Sequence, residues 1–240
     1  MTFQDLIAVQ GLVTLDRGDK LAEHKVYFAR SDNAGQQITS LGELIETVQP
    51  TILMGLSTIG GAFTPTILQQ MARINRRPII FPLSNPSSKS ECSLADAVEH
   101  TAGRCIFASG SPFPPAHHYD KATNTTTLFP PQQGNNMYVF PAIGLASVLA
   151  HTSTITQSMI YASAAALAAS LTAAERDDPT TASVLYPDLG RIRAVSVRVA
   201  RGVVRAAQAE GVDRNAVLKG MSDAQLDGVI RDCMYDPFAA

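Results

Sequence analysis

Residues 51–112, TILMGLSTIGGAFTPTILQQMARINRRPIIFPLSNPSSKSECSLADAVEHTAGRCIFASGSP, decide how this chain folds. Three apolar runs punctuate the stretch: Thr51-Ile52-Leu53-Met54, Pro78-Ile79-Ile80-Phe81 and Cys105-Ile106-Phe107. Each is short and continuous rather than alternating, the mark of strands in a parallel sheet covered on both faces. Helical patterns separate them. Thr64-Pro65 supplies a hydroxyl N-cap with proline at the first helical position. Ile67, Leu68, Met71 and Ile74 then recur at helical spacing until Asn75-Arg76-Arg77 breaks the pattern. Ser93 and Asp96 have the spacing of a capping box for the next helix. Strand, helix, strand, helix, strand predicts an α/β domain with a doubly wound parallel sheet.

Upstream, Leu6-Ile7-Ala8-Val9 reads as a short strand closed by Gly11, and Lys25-Val26-Tyr27-Phe28 as another. Leu41, Leu44, Ile45 and Val48 sit at helical spacing after Thr39-Ser40, and Pro50 ends that helix. Downstream, Pro112 to Gln133 holds five of the 14 prolines and no strong period, so it is a long excursion with a small hairpin at Asn124 to Phe129. From Val139 the pattern is helical, through Ile143, Ala146, Leu149 and Ala150, then Ile160 to Leu171, then Ile192 to Ala209. Residues 213–240 read as a weakly ordered tail.

Nineteen Lys and Arg against 21 Asp and Glu leave a net charge of −2 with no basic block, which excludes a nucleic-acid partner on electrostatic grounds. Three widely spaced cysteines, Cys92, Cys105 and Cys233, suit neither a disulfide framework nor a zinc site and point to a reducing compartment. The first residues lack the basic-then-apolar build of a secretory signal, and the Ala-rich stretch Tyr161 to Leu171 is too short for a bilayer span. A protein that is not secreted and has no membrane partner is expected.

Ligands of an open parallel sheet bind beyond the carboxyl ends of its strands. Three loops hold that position: Gly55-Leu56-Ser57-Thr58-Ile59-Gly60-Gly61, Ser84-Asn85-Pro86 and Ser109-Gly110-Ser111. All are rich in Gly, Ser and Asn, which permit close backbone approach and supply neutral hydrogen bonds. The first leads into a helix N-terminus, a natural anion site. Together they suggest a nucleotide site, although no G-x-G-x-x-G or Walker A loop occurs in the chain. Other candidates read as structural. His117-His118 with Asp120 fit a solvated loop, Cys92 and Cys105 small core residues, Tyr161 helix packing. Arg191, Arg193, Arg198, Arg201 and Arg205 fit a solvated cationic face.

Four segments carry a family resemblance. Arg77-Pro-Ile-Ile-Phe-Pro-Leu-Ser-Asn85-Pro86-Ser-Ser-Lys89-Ser-Glu91-Cys92 resembles the R-P-x-I-F-x-L-S-N-P-T-x-x-x-E-C block of malic enzymes. Gly103 to Phe113 is similar to their G-R-x-x-F-A-S-G-S-P-F, and Gln133 to Pro141 to their Q-G-N-N-x-Y-[VI]-F-P. Ile59-Gly-Gly-Ala-Phe63 is similar to the loop before their helix. Order and spacing agree from about Gly11 to Ala207. The resemblance implies a Rossmann-like domain over 4–135, incomplete at its N-terminal side, and a helical extension over 136–212 that packs on a catalytic domain. It implies oxidative decarboxylation of malate to pyruvate and CO2 with NAD or NADP, and with Mg²⁺ or Mn²⁺ in the complete enzyme. It also implies a homo-oligomer and a cytoplasmic or mitochondrial location.

Carried over by motif position, Asn85 and Asn136 match asparagines that contact malate and the nicotinamide end of the cofactor, with Asn135 beside them. Ser57, Thr58, Gly60 and Gly61 match the loop beside the dinucleotide. Lys25 resembles in position the lysine that meets the 2′-phosphate in NADP-using members, and Ala8-Val9-Gln10 offers no carboxylate for the 2′-hydroxyl of NAD, so NADP is expected. Pro82 and Ala142 replace the family's Ala and Gly. The resemblance places the tyrosine acid, the lysine base, the malate-binding arginine and the metal carboxylates on segments before this chain, so a chain supplying only the dinucleotide side of the site is expected. Two other readings remain open: a non-catalytic NAD(P)-binding module, and a pseudoenzyme subunit that serves as an interaction surface.

Overall fold

The computed structural model describes residues 7–8, 11–177, 182 and 184–235. The chain divides into two compact units, residues 1–133 with 180–182, and residues 134–179 with 183–240.

The first unit is built on a three-stranded parallel sheet of β3 (Ile52–Gly55), β4 (Ile79–Pro82) and β5 (Ile106–Phe107) in that order. Ile52 pairs with Ile79 and Ile79 with Ile106, so the strands run in register and end on one edge. The helices α1 (Leu41–Val48), α2 (Pro65–Ile74) and α3 (Leu94–His100) precede or connect them, which is the order predicted from the sequence. Thr64 caps α2 by accepting from the Ile67 amide with Pro65 in the first turn, and Ser93 and Asp96 form the capping box of α3. Leu53, Ile80 and Phe107, one from each strand, meet Ile67, Leu68 and Met71 of α2 and Leu94, Ala97 and Val98 of α3 in a buried core. At the far end of α2, Arg104 Nη2 donates to the Ala72 carbonyl at 2.9 Å, and its Nη1 reaches the carbonyls of Asn75 and Arg76.

The sheet departs from the expectation of two covered faces. Leu53 and Ile80 are buried, but Ile52 and Met54 are 50% and 51% exposed. The apolar runs are continuous in sequence and alternate in burial, with Ile79, Phe81 and Ile106 half-buried on the less covered face. The short strand expected around Ile7 is present as β1 (Ile7–Ala8), yet it pairs antiparallel with β2 (Gly11–Leu12) and stays outside the parallel sheet. Val9 and Gln10 lie outside the described residues. Lys25 to Phe28 is not a strand. Glu23–Phe28 is a 3-10 turn in which the Lys25 amide donates to the Ala22 carbonyl at 2.8 Å, and Val26, Tyr27 and Phe28 are all exposed. A four-residue apolar run has no intrinsic period, and here no partner strand is offered to it. His117 and His118 lie not in a loop but on β6 (Ala116–Asp120), which forms a hairpin with β7 (Thr125–Phe129). Strand geometry turns the two imidazoles to opposite sides.

The second unit is helical. α4 (Phe140–Leu149), α5 (Gln157–Ala168) and α6 (Ala173–Arg176) precede the long α7 (Ile192–Ala209). Val195, Val199, Val203 and Ala207 form the buried stripe of α7 against Ala142 and Ala146 of α4 and Met159 and Leu167 of α5. Tyr161, read as packing, is 76% exposed. The segment read as a weakly ordered tail carries α8 (Ala216–Lys219) and α9 (Asp223–Asp232), and Leu218, Leu226 and Ile230 are buried in the same core. Ser222 and Gln225 close a capping box at the start of α9.

The most heavily bonded carboxylate of this unit is Glu175. It accepts from the Thr172 amide (2.7 Å) and hydroxyl (2.9 Å), from the Asp188 amide (2.9 Å) and from Arg191 Nη2 (2.7 Å). Partial burial acts to raise its pKa, but these donors together outweigh it and hold the group down at about 2. A depressed folded-state pKa stabilises the fold above the unfolded value and loses that contribution as pH falls through the folded value. The melting temperature of the chain is therefore expected to fall between pH 4.5 and 2. In Glu175→Gln the melting temperature near neutrality should drop by a few degrees, roughly what the loss of one well-bonded charge costs a domain of this size, and its acid dependence should be shallower. An unchanged acid limb in a thermal melt series would remove Glu175 from this role.

Candidate functional site

The three loops beyond β3, β4 and β5 meet because the strands end in register. The Leu83 amide donates to the Gly55 carbonyl at 2.8 Å, and the Gly110 amide to the Pro82 carbonyl at 3.0 Å. Beneath the loops lies Glu91, wholly buried. Its Oε1 accepts from Ser84 Oγ at 2.5 Å, from the Ser57 amide at 3.2 Å and from Ser57 Oγ at 3.4 Å. Ser84 Oγ in turn accepts from the Thr58 amide at 2.9 Å. One carboxylate thus ties the loop after β3 to the loop after β4.

This network takes up much of the first loop's own hydrogen-bonding capacity. Several of its amides are engaged inside the protein. Besides those of Ser57 and Thr58, the Ile59 amide donates to Ser57 Oγ, the Gly61 amide to the Ser90 carbonyl at 3.0 Å and the Phe63 amide to the Glu91 carbonyl at 2.9 Å. Ser57, Thr58, Gly60 and Gly61 are themselves exposed above Glu91.

Asn85 is exposed, next to a cis Asn85–Pro86 bond, and its orientation is fixed by the third loop. Ser111 Oγ donates to Asn85 Oδ1 at 2.7 Å and ties the side chain to the third loop. A Cβ added at Gly110 would lie 3.0 Å from Asn85 Nδ2 and would collide with the Leu83 carbonyl, so the close approach requires glycine. Gln133 Nε2 donates to the Gly110 carbonyl at 3.0 Å and braces this loop.

The remaining site candidates are Lys25, Asn135 and Asn136. Lys25 is half-buried on its 3-10 turn in the first unit. Asn135 and Asn136 belong to the second unit and are exposed. Asn135 Oδ1 accepts from the Met137 amide at 3.0 Å and caps the 3-10 turn Asn136–Tyr138, so its acceptor is already in use. Burial pushes the Cys92 and Cys105 thiols up, which fits small core residues rather than nucleophiles. Among the described residues no group of three or more His, Cys, Asp and Glu side chains could hold a metal ion, and no helix is long and apolar enough to cross a membrane. Sequence reasoning placed Ser84 and Ser111 in the ligand-facing loops without an individual role, and assigned none to Glu91 or Gln133. Glu91 had a signal: it is the single acid between Pro78 and Leu94, a stretch whose strand and loops are otherwise apolar or neutral apart from Lys89.

The sequence profile described as "Malic enzyme, NAD binding domain" matches residues 5–208. The chain belongs to the malic enzyme family. It is 41% identical to the NADP-dependent malic enzyme of Dictyostelium discoideum across 85% of this chain and 35% of that protein. To the NADP-dependent malic enzyme of Homo sapiens it is 39% identical, across 97% of this chain and 40% of that protein. The chain therefore spans well under half the length of these malic enzymes. The crystal structure of Entamoeba histolytica malic enzyme superposes with a TM-score of 0.70 over 95% of this chain and 41% of that one, at 21% identity, a likeness of fold. Malic enzyme from Pyrococcus horikoshii gives 0.54 over 75% of this chain and 34% of that one, at 25% identity. The Rossmann-like α/β fold expected from sequence is the fold of this malic enzyme chain.

Like Gly110, Gly55 should be poorly replaceable. A Cβ there would lie 2.6 Å from Glu91 Oε2, in a buried place where neither partner can withdraw. Gly55→Ala is expected to cost about 1–3 kcal/mol, as overpacking does. Gly144→Ala, in α4 with nothing within 4 Å of an added Cβ, should instead stabilise by roughly 0.5–1 kcal/mol. Urea unfolding of both variants checks the contrast; equal effects would contradict the packing described around Glu91.

Proposed function

We propose that this chain forms the dinucleotide side of a malic enzyme site, in a protein that oxidises and decarboxylates malate to pyruvate and CO2 while reducing NADP. The observation that supports it best is Asn85, exposed at the end of β4 with its amide oriented by Ser111. A fixed neutral donor at a strand end suits a substrate carboxylate or a carboxamide, since it orients either without adding a charge. The engaged amides around Glu91 favour a neutral portion of the cofactor, the ribose or nicotinamide, against Ser57, Thr58, Gly60 and Gly61. Asn136 is assigned to substrate and Asn135 to cofactor by the same motif.

When bound, the nicotinamide supplies the acceptor for the hydride that leaves C2 of malate. The residues of this chain bind and orient; an amide neither gives nor takes a proton in the physiological range, so Asn85 and Asn136 move none. The donor set of the described residues does not fit a divalent metal, and no step here depends on one. NADP rather than NAD is supported by the relatives, named as NADP-dependent, and by the half-buried cation Lys25, whose charge suits a 2′-phosphate. A homo-oligomeric whole enzyme and a cytoplasmic or mitochondrial location belong to the same reading.

A chimera tests it. Residues 5–208 of this chain replace the matching segment of the human NADP-dependent enzyme, and turnover with malate is followed through NADPH absorbance. The chimera should turn over. Asn85→Ala within it should lower kcat/KM by about 100-fold, the scale of lost positioning, and Lys25→Ala should raise KM for NADP about tenfold, one charge-assisted contact, without raising it for NAD. An active chimera indifferent to Asn85→Ala overturns the proposal.

A further inference from the structure

Helix α7 carries two kinds of arginine. Arg205 and Arg191, one within it and one at its start, are matched to carboxylates: Arg205 Nη2 lies 2.9 Å from Asp223 Oδ1, and Arg191 Nη2 lies 2.7 Å from Glu175 Oε2. Arg193, Arg198 and Arg201 instead line a cleft of about 320 Å³ together with Arg231 of α9, above the apolar floor of Val197. Among the described residues Asp227 is the lone carboxylate of the lining, so four positive charges less one negative leave them a formal charge of +3.

The guanidinium groups are held in place more than they are neutralised. Arg193 Nη1 donates to the Tyr235 carbonyl at 3.0 Å and Arg198 Nη1 to the Ala169 carbonyl at 2.6 Å. A carbonyl fixes a cation without cancelling its charge, and a guanidinium with five donors keeps most of them for another acceptor. Arg201 differs from the other three: its Nη1 lies 2.9 Å from Asp227 Oδ2 and its Nε 3.7 Å from Asp223 Oδ2. Arg198 and Arg201 are three residues apart on one helix, a spacing at which like charges repel. A fold that anchors mutually repelling cations around a concave space gains from an anion that joins them.

We propose that this cleft binds a small polyanion through clustered oxyanion oxygens, an oligophosphate or a polycarboxylate carrying two or more negative charges. Its volume is at the lower end of the roughly 300–1,000 Å³ of small-ligand sites, which suits a compact ligand, and the planar forks of arginine match oxyanion groups in pairs. The site lies wholly within the second unit and does not depend on the function proposed for the loops of the first.

Titration calorimetry on the 240-residue chain at constant ionic strength tests it, with inorganic pyrophosphate in one arm and citrate in the other. At least one of them is expected to bind at a single site, with affinity falling as salt is added. Binding in one arm only assigns the ligand class. The double variant Arg193→Ala, Arg231→Ala, at two exposed positions, should weaken binding at least tenfold, while Arg176→Ala on α6, outside the cleft, should bind as the parent does. Lysine at positions 193 and 231 keeps the charge and loses the forks, and should recover part of the affinity. Absence of saturable binding in both arms overturns the proposal. So does binding unchanged in the double alanine variant, or an equal loss in Arg176→Ala.

Discussion

A carboxylate closed off from water needs donors, and the donors available to Glu91 are the hydroxyls and amides of the loops beyond β3 and β4. That requirement organises the first unit. Ser57 and Ser84 turn inward to meet Oε1, the Thr58 amide follows onto Ser84, and the backbone of Gly55 comes so close that no side chain can stand there. Ser84 is the buried partner of the set, and removing it takes the shortest of these bonds from a carboxyl closed off from water. The surface above it, where Asn85 is exposed, inherits its shape from this arrangement.

The polarity of the site follows from the same arrangement. A helix start behind a glycine-containing loop ordinarily attracts phosphate. Here several of those amides are taken up by the Glu91 carboxyl, serine hydroxyls and neighbouring carbonyls. The proposed recognition by Asn85 is of a neutral kind, and the exposed cation near it is Lys89.

Local signals were legible in the sequence wherever the cause is local. Thr64-Pro65, the Ser93–Asp96 box and Leu41 to Val48 name their helices because caps and amphipathic spacing act within a few residues. The strand ends, and with them Asn85, were placed by short apolar runs and by long motifs. What failed needed partners distant in sequence. Continuous apolar strands looked the same whether one face or two would be covered, and Lys25 to Phe28 looked like a strand because nothing in four residues reveals a missing neighbour. Tyr161 sits in an Ala-rich helix whose apolar residues run all round it, so the sequence gives no sign of which side meets α7. The C-terminal helix was missed for a different reason: Ser222 and Gln225 announce its cap, but α9 is weakly apolar, and its attachment rests on Leu226 and Ile230 meeting a core assembled from residues far earlier in the chain.

Arg104 gives α2 an unusual ending. The last carbonyls of a helix are the ones from which fraying starts, and here Ala72 in the last turn, with Asn75 and Arg76 just past it, shares a single cation delivered from just before β5. The helix cannot loosen from that end without releasing the approach to β5, and β4 pairs with β5 in the sheet. Local opening is thus converted into a larger cooperative event, and α2, β4 and β5 should exchange their amide hydrogens as one block rather than turn by turn.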